Sequence, residues 1–365
     1  MKNIPLFDIH HTNSEIAAVK RVIKSGAWSG EGKEVKKLED DFNTYMGAKF
    51  SLAFNSGTSA LHALLLAYGL GPGDEVITTP FTFIATVNAA LFVGAKPVFV
   101  DIEPLTYGID PQKITSSITD KTKVIMPIHY GGMACQIKEI KDIAKRKKLI
   151  LIEDSAEALG ASIGKQKTGT FGDSSAFSLC ANKNITSGEG GLISTNSKEV
   201  FEKAKLIRSH GKSGEDYVAL GYNFRMSNIL AAIARVQLKK INKINKKRRE
   251  NALYLSNKLS KIEEIEIPRE PLGYKSVFQL YTIKVKNKGT REKLREYLKV
   301  NGINTKIYFL PVHLTSFYRK KFGYTASEFP VAEDLSNRVL SLPFFCDFSK
   351  NKMNYVVEKI EKFFI

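Results

Sequence analysis

The stretch "LILIEDSAEALG", residues 149–160, decides how the whole chain is to be understood. A short unbroken apolar run ends in two carboxylates, Glu153 and Asp154, followed at once by a helix-capping Ser155. Apolar residues without polar alternation belong to a strand covered on both faces, as in a parallel sheet. Working outward, residues 51–54, "EVITTP" (75–80), "KPVFVD" (96–101), "KVIMPIH" (123–129), "SSAFSL" (174–179) and "GGLIST" (190–195) repeat that type of run. Amphipathic stretches such as 82–93 and 135–148 lie between several of them. The alternation predicts an α/β large domain with a mostly parallel seven-stranded sheet between helices.

Beyond about residue 196 the pattern changes. Helical periodicity predicts helices over 226–240 and roughly 242–260, and "EIPREPLGYKS" (266–276) punctuates the chain with two prolines and a glycine. Then come "FQLYTIKV" as a strand, 290–300 as a helix, "INTKIYF" as a strand and helices near 331–340 and 350–364. The expected division is a large domain over 1–245 and a small C-terminal α+β domain over 246–365, with a ligand cleft between them.

Composition narrows the class. The 365 residues are enough for two cores, and 43% hydrophobic with 25% charged residues is ordinary for a water-facing globular chain. No apolar run reaches the ~18 residues of a membrane span, and the N-terminus has no secretory-leader pattern, so a cytoplasmic location is expected. Cys135, Cys180 and Cys346 form no CxxC pair and offer no zinc or disulfide framework; no metal is expected. The net charge of +18 is spread along the chain. Its densest cluster, "KKINKINKKRRE" (239–250), reads as a solvated helix face without a nucleic-acid recognition pattern. Charge of this sign would help to gather anionic substrates.

Four features carry chemistry. In "NSGTSALHALLLAYG", Ser56-Gly57-Thr58-Ser59 stands between a strand and a helix, where free backbone N–H groups and hydroxyls can seat a phosphate; taken alone it is also routine capping. Asp154 ends a buried strand at the sheet edge where ligands collect, and could pair with a protonated ring nitrogen or simply precede a cap. Lys183 lies 29 residues further on, in "SLCANKNITSGEGG". It is either a solvated loop charge or an amine able to form a Schiff base with an aldehyde. Asn223 and Arg225 precede an Ala-rich helix suited to close packing against another subunit. An aldehyde, a phosphate handle and a basic ring nitrogen together describe pyridoxal 5'-phosphate.

The motifs "NSGTSALHAL", "TPFTFIATVNA", "LIEDSAEALGA", "FSLCANKNITSGEGG" and "GYNFRMSNILAAIARVQL", in this order, resemble the DegT/DnrJ/StrS family of nucleotide-sugar aminotransferases, pyridoxal-phosphate enzymes of fold type I. The resemblance implies that Lys183 is the Schiff-base lysine and Asp154 the partner of the pyridine nitrogen. It places Phe83 against the ring, Thr58, Ser59 and Ser178 on the phosphate, and Glu157 near the ring hydroxyl. It implies that Asn223 reaches the phosphate from the neighbouring subunit of a homodimer, and that Arg225 and His313 lie on the substrate side. Trp28, in an N-terminal loop, either borders the sugar site or anchors the loop. The implied reaction moves an amino group from L-glutamate, leaving 2-oxoglutarate, to a nucleotide-linked keto-sugar in deoxyaminosugar and surface-polysaccharide biosynthesis. The "ANKNITSGEGG" form favours C4 of a 4-keto-6-deoxy sugar; C3 amination of a 3-keto-6-deoxy sugar and a non-catalytic regulatory homologue are the alternatives. Neither a nucleic acid nor a membrane is an expected partner.

Overall fold

A computed structural model describes the chain over residues 3–365. Strands β1 (Phe50–Phe54), β2 (Glu75–Thr78), β3 (Lys96–Phe99), β4 (Thr122–Ile125), β5 (Ile150–Asp154), β6 (Ser174–Ser178) and β7 (Gly191–Thr195) form one sheet in the order β1-β7-β6-β5-β4-β2-β3. Only β7 runs against its neighbours β1 and β6. The remaining pairings are parallel.

The period-two alternation of strand side chains divides them between two helical layers. Leu52, Val76, Ile152, Ala176 and Ile193 point to one face, where they meet helices α3 (Gly57–Ala67), α4 (Ile84–Phe92) and α6 (Lys198–Arg208). Their sequence neighbours Ala53, Ile77, Leu151, Phe177 and Leu192 point to the other. That face is covered by α2 (Lys33–Met46), α5 (Ile137–Lys147) and the N-terminal part of α7 (Asn228–Leu259). Ahead of α2, helix α1 (Asn13–Ser25) is fixed by a reciprocal cap between Thr12 and Glu15, and ended by the left-handed Gly26.

The C-terminal unit has a three-stranded antiparallel sheet, β8 (Ile265–Glu266), β9 (Tyr281–Val285) and β10 (Val339–Leu342), in that order. Helices α8 (Lys288–Val300), α9 (Ser316–Phe322), α10 (Pro330–Arg338) and α11 (Lys350–Phe364) accompany it. Residues 303–309 do not form the expected strand. They bridge Ile4 from Ile303 and Ser341 from Lys306 only, and carry Tyr308 and Phe309 toward the large unit. Among the described residues no helix is long and apolar enough to cross a membrane.

The two helices expected over 226–260 are one helix of 32 residues, because no glycine or proline interrupts that run. The boundary expected between 245 and 246 therefore falls inside α7. Ile241 and Ile244 pack in the large unit, while Ala252, Leu255 and Leu259 pack in the small one. Nor is "KKINKINKKRRE" a wholly solvated face. Arg248 is buried and donates to the carbonyls of Phe278 and Gln279, and Lys240 is paired with Glu15. A buried guanidinium satisfying two loop carbonyls joins helix and small unit at one point. Arg248→Ala should cost about 3 kcal/mol in urea unfolding, because the carbonyls lose charged donors and stay buried; a loss under about 0.5 kcal/mol would remove this role.

Candidate active site

Because the strands run parallel, the end of β5, the end of β6 and the starts of α3 and α4 meet at one sheet edge. They enclose a cavity of about 510 Å³ that also borrows Tyr308 and Phe309 from the small unit and Leu6 and Phe7 from the N-terminal segment. This is within the roughly 300–1,000 Å³ typical of small-molecule sites.

Alternation along β5 separates its two acids. Glu153 is fully buried and consumed by structure: it accepts the backbone N–H groups of Gly169, Phe171 and Gly172 and lies 2.9 Å from His129 Nε2. The Cys135 N–H donates to His129 Nδ1, so the ring proton sits on Nε2 and faces Glu153. Asp154 points into the cavity instead. Its Oδ2 accepts the Thr86 hydroxyl at 2.7 Å and its Oδ1 the Ala156 N–H at 3.1 Å. The Thr86 hydroxyl lies 2.8 Å from that of Thr82, which fixes the first turn of α4 beside the carboxylate. Burial holds the Asp154 carboxyl above the usual carboxylate range, and these two donors and the charge of Lys183 only partly offset it.

The amine of Lys183 enters the same cavity and donates to Glu157 Oε1 at 3.4 Å. Glu157 is itself held by the Gly131 N–H on Oε2 at 2.9 Å. At the start of α3, Ser56 caps the helix by accepting the Ser59 N–H at 3.0 Å. The first N–H groups of a helix have no partner within it, and those of Gly57 and Thr58 stand beside Ser178 on the cavity wall. A Cβ at Gly57 would sit 3.0 Å from Ser178 Cβ, so any larger residue would push these two segments apart by a few tenths of an ångström.

The cavity therefore brings together Thr58, Phe83, Asp154, Glu157, Ser178 and Lys183. Phe83, 59% exposed at the start of α4, presents its ring to this opening. Ser59 does not reach the wall, since its hydroxyl turns back to Ser56 Oγ at 2.9 Å. Asn223 is exposed and lies outside its own chain's cavity.

Three residues expected on the substrate side, His313, Trp28 and Arg225, lie outside this chain's own cavity. His313 is fully buried, paired with Glu333 Oε1 at 3.1 Å and packed against Phe329, so it cannot touch a ligand here. Trp28, just beyond α1, gives its indole N–H to the Ile23 carbonyl in the last turn of that helix, which fits the loop-anchor reading. Arg225 packs against Gly30, so closely that a Cβ there would lie 2.6 Å from Arg225 Cβ. Ser56, named with the phosphate seat, lines the cavity as well, but sequence reasoning missed Thr86, His129, Asn182 and Lys306, which also line it. Thr86 lies in the first turn of α4 and the other three on irregular segments, and only the fold sets which way their side chains face.

Whether pyridoxal phosphate fits is answered by Asp154. Its buried carboxylate has no cation in ion-pair contact among the described residues, and a protonated ring nitrogen supplies that missing charge. The helix start offers the phosphate its N–H groups and hydroxyls, and Lys183 offers the amine. Fold and site thus define a pyridoxal-phosphate enzyme of fold type I. More narrowly, the chain belongs to the DegT/DnrJ/EryC1/StrS aminotransferase family, whose model matches residues 10–361. It is a pyridoxal-phosphate-dependent sugar aminotransferase. It is 34% identical to GDP-perosamine synthase of Escherichia coli O157:H7, over 100% of this chain and 99% of that one. It is 38% identical to a pleiotropic regulatory protein of Geobacillus stearothermophilus, over 99% of each. The structure of Helicobacter pylori PseC, an aminotransferase involved in the biosynthesis of pseudoaminic acid, superposes with a TM-score of 0.94 at 30% identity, over 100% of this chain and 99% of that one.

The raised pKa of Asp154 has a sign that can be measured. Between the usual carboxylate pKa and its own higher value, the native state binds more protons than the unfolded chain. The stability of the cofactor-free protein therefore falls as pH rises through that window, and the cost persists above it. Asp154→Asn should raise the melting temperature of the cofactor-free protein at neutral pH and flatten this dependence, yet shrink the stabilisation gained on adding cofactor. Parallel thermal melts with and without pyridoxal phosphate decide it; a variant that melts lower without cofactor contradicts the assignment.

Proposed function

We propose that the chain moves the amino group of L-glutamate, leaving 2-oxoglutarate, onto C4 of a 4-keto-6-deoxy sugar carried on a nucleotide, and that it works as a homodimer. The observation that carries the reading is the pairing of Lys183 and Lys306 on one cavity wall system, the two cations among its described lining residues. Lys183 serves the chemistry, and Lys306 matches the diphosphate of a nucleotide sugar. When bound, pyridoxal phosphate supplies an aldehyde carbon that can carry an amino group and a ring that accepts electrons.

The protein's side chains do the rest. Lys183 Nζ takes a proton from the amino-bearing carbon of the donor and returns one to the acceptor sugar, acting as general base and then acid. Glu157 holds the freed amine within reach of that carbon. Asp154 keeps the positive charge at the ring nitrogen, while Thr58 and Ser178 hold the phosphate. Leu6, Phe7, Ile128 and Phe309 keep water from the cavity and offer a deoxy carbon an apolar wall. The "ANKNITSGEGG" form supports C4 over C3. Similarity to a protein named as a regulator favours a non-catalytic reading, but a silent homologue has no need of Lys183 beside an uncompensated carboxylate.

Incubation with glutamate and matched 4-keto and 3-keto nucleotide sugars, with NMR of the products, tests the position. An amine at C4 is expected; amination of the 3-keto sugars alone, or of none, overturns the proposal.

The dimer reading rests on Asn223 and on the ribbon formed by Lys212–Ser213 and Asp216–Tyr217. Tyr217, Val218 and Leu220 beside it are 66%, 55% and 83% exposed, an apolar patch suited to a second subunit. Mixing a Lys183→Ala chain with an Asn223→Ala chain should restore activity toward about a quarter of wild type, since random pairing makes half the dimers mixed and each holds one intact site. Two inactive parents giving an equally inactive mixture would place the asparagine in its own subunit's site.

A further inference from the structure

Away from the cavity, three chemically different donors converge where the N-terminal segment meets the small unit. His10 Nδ1 lies 2.7 Å from Asp347 Oδ2. These groups and Cys346 Sγ offer ligand atoms that all fall within 4.8 Å of one another. The spacing of the cysteines in sequence gives no hint of this, because His10 and Asp347 are 337 positions apart.

Both sides of the cluster are held by the same helix. Gln237 of α7 donates to the His10 carbonyl at 2.8 Å, and Asn251 of α7 donates to the Cys346 carbonyl at 3.0 Å. The donors are thus fixed by buried backbone contacts rather than left on free loops. Cys346 is buried, His10 is half-buried and Asp347 is exposed, so one side is open to solvent. Nothing in the amino-transfer chemistry uses any of the three.

We propose that His10, Cys346 and Asp347 bind one zinc-class divalent transition-metal ion, with solvent as the fourth ligand. A thiolate with an imidazole selects this class over magnesium or calcium, which take oxygen donors. Metal–ligand distances of roughly 2.0–2.3 Å in a tetrahedral site set donors about 3.3–3.7 Å apart. The present separations, from 2.7 Å to at most 4.8 Å, bracket that spacing. Burial first, and then Asp347, keep the thiol protonated in the metal-free protein. Binding sends that proton to solvent, and the resulting thiolate and the Asp347 carboxylate balance the two charges of the ion. Arg248 and Lys247 lie close enough to favour the thiolate. The bound ion would clasp the segment that supplies Leu6 and Phe7 to the cavity wall, and so fix one side of the substrate opening.

The test uses the cofactor-loaded protein stripped of metal with a chelator. Cobalt(II) is followed by its visible ligand-field bands, to the red of the cofactor's absorption, and zinc by competition with a chromogenic chelator. One ion per chain is expected, with tetrahedral-type cobalt bands. Cys346→Ser, Asp347→Asn and His10→Gln should each weaken binding at least tenfold while metal-free amino transfer is retained, which shows that the variants fold. Zinc should slow hydrogen exchange in residues 3–12 of the wild type but not of Cys346→Ser. Absence of stoichiometric binding, or binding that Cys346→Ser leaves unchanged, overturns the site.

Discussion

A carboxylate buried with no ion-pair partner among the described residues is the constraint around which this molecule is organised. Asp154 has a hydroxyl and one backbone N–H as partners, and both are weaker compensation than a full positive charge. Its direction is set by strand alternation, which turns Glu153 into a saturated structural acid and leaves Asp154 facing the opening. The electrostatics of the large unit are therefore incomplete until a cationic ring nitrogen arrives. Binding and catalysis draw on the same arrangement, because the charge that holds the ring in place also keeps it able to accept electrons.

Topology supplies everything else to that point. With β2, β4, β5 and β6 parallel, their carboxyl ends form one edge. The phosphate seat, the aromatic wall, the carboxylate and the amine come from four connections that meet there, those after β1, β2, β5 and β6. The first two reach the edge at the starts of α3 and α4, whereas Asp154 and Lys183 stand at or just beyond strand ends that lead into no helix. The reversal of β7 lets β1 close the sheet while its own end still delivers α3 to the same place.

Much of this was legible in the chain. Buried parallel strands leave an unbroken apolar run, so all seven strands of the large sheet were visible to within a few residues. Lys183, Asp154, Thr58, Ser178, Phe83 and Glu157 stand at the ends of those strands or a few residues beyond them, and they do meet. What escaped notice depended on contacts across long separations. The segment 303–309 looks like a strand by composition, but its pairing is limited to the single bridges to Ile4 and Ser341. His313 has the polarity of a ligand contact, yet the aromatic cage around it comes from residues 99, 324 and 329. Asn228 gave no signal at all, although its side chain accepts the N–H groups of Glu34 and Val35 and so ties α2 to α7.

The unbroken course of α7 has a mechanical corollary. A flexible linker would let the C-terminal unit swing like a door, but here one rod is embedded in both bodies, with Gln237 and Asn251 tying its two halves to the flanking chain. Opening by hinge rotation would have to bend 32 residues of hydrogen-bonded helix. Access for a bulky substrate is therefore set by the rim, which Leu6, Phe7, Lys306, Tyr308 and Phe309 supply from outside the large sheet.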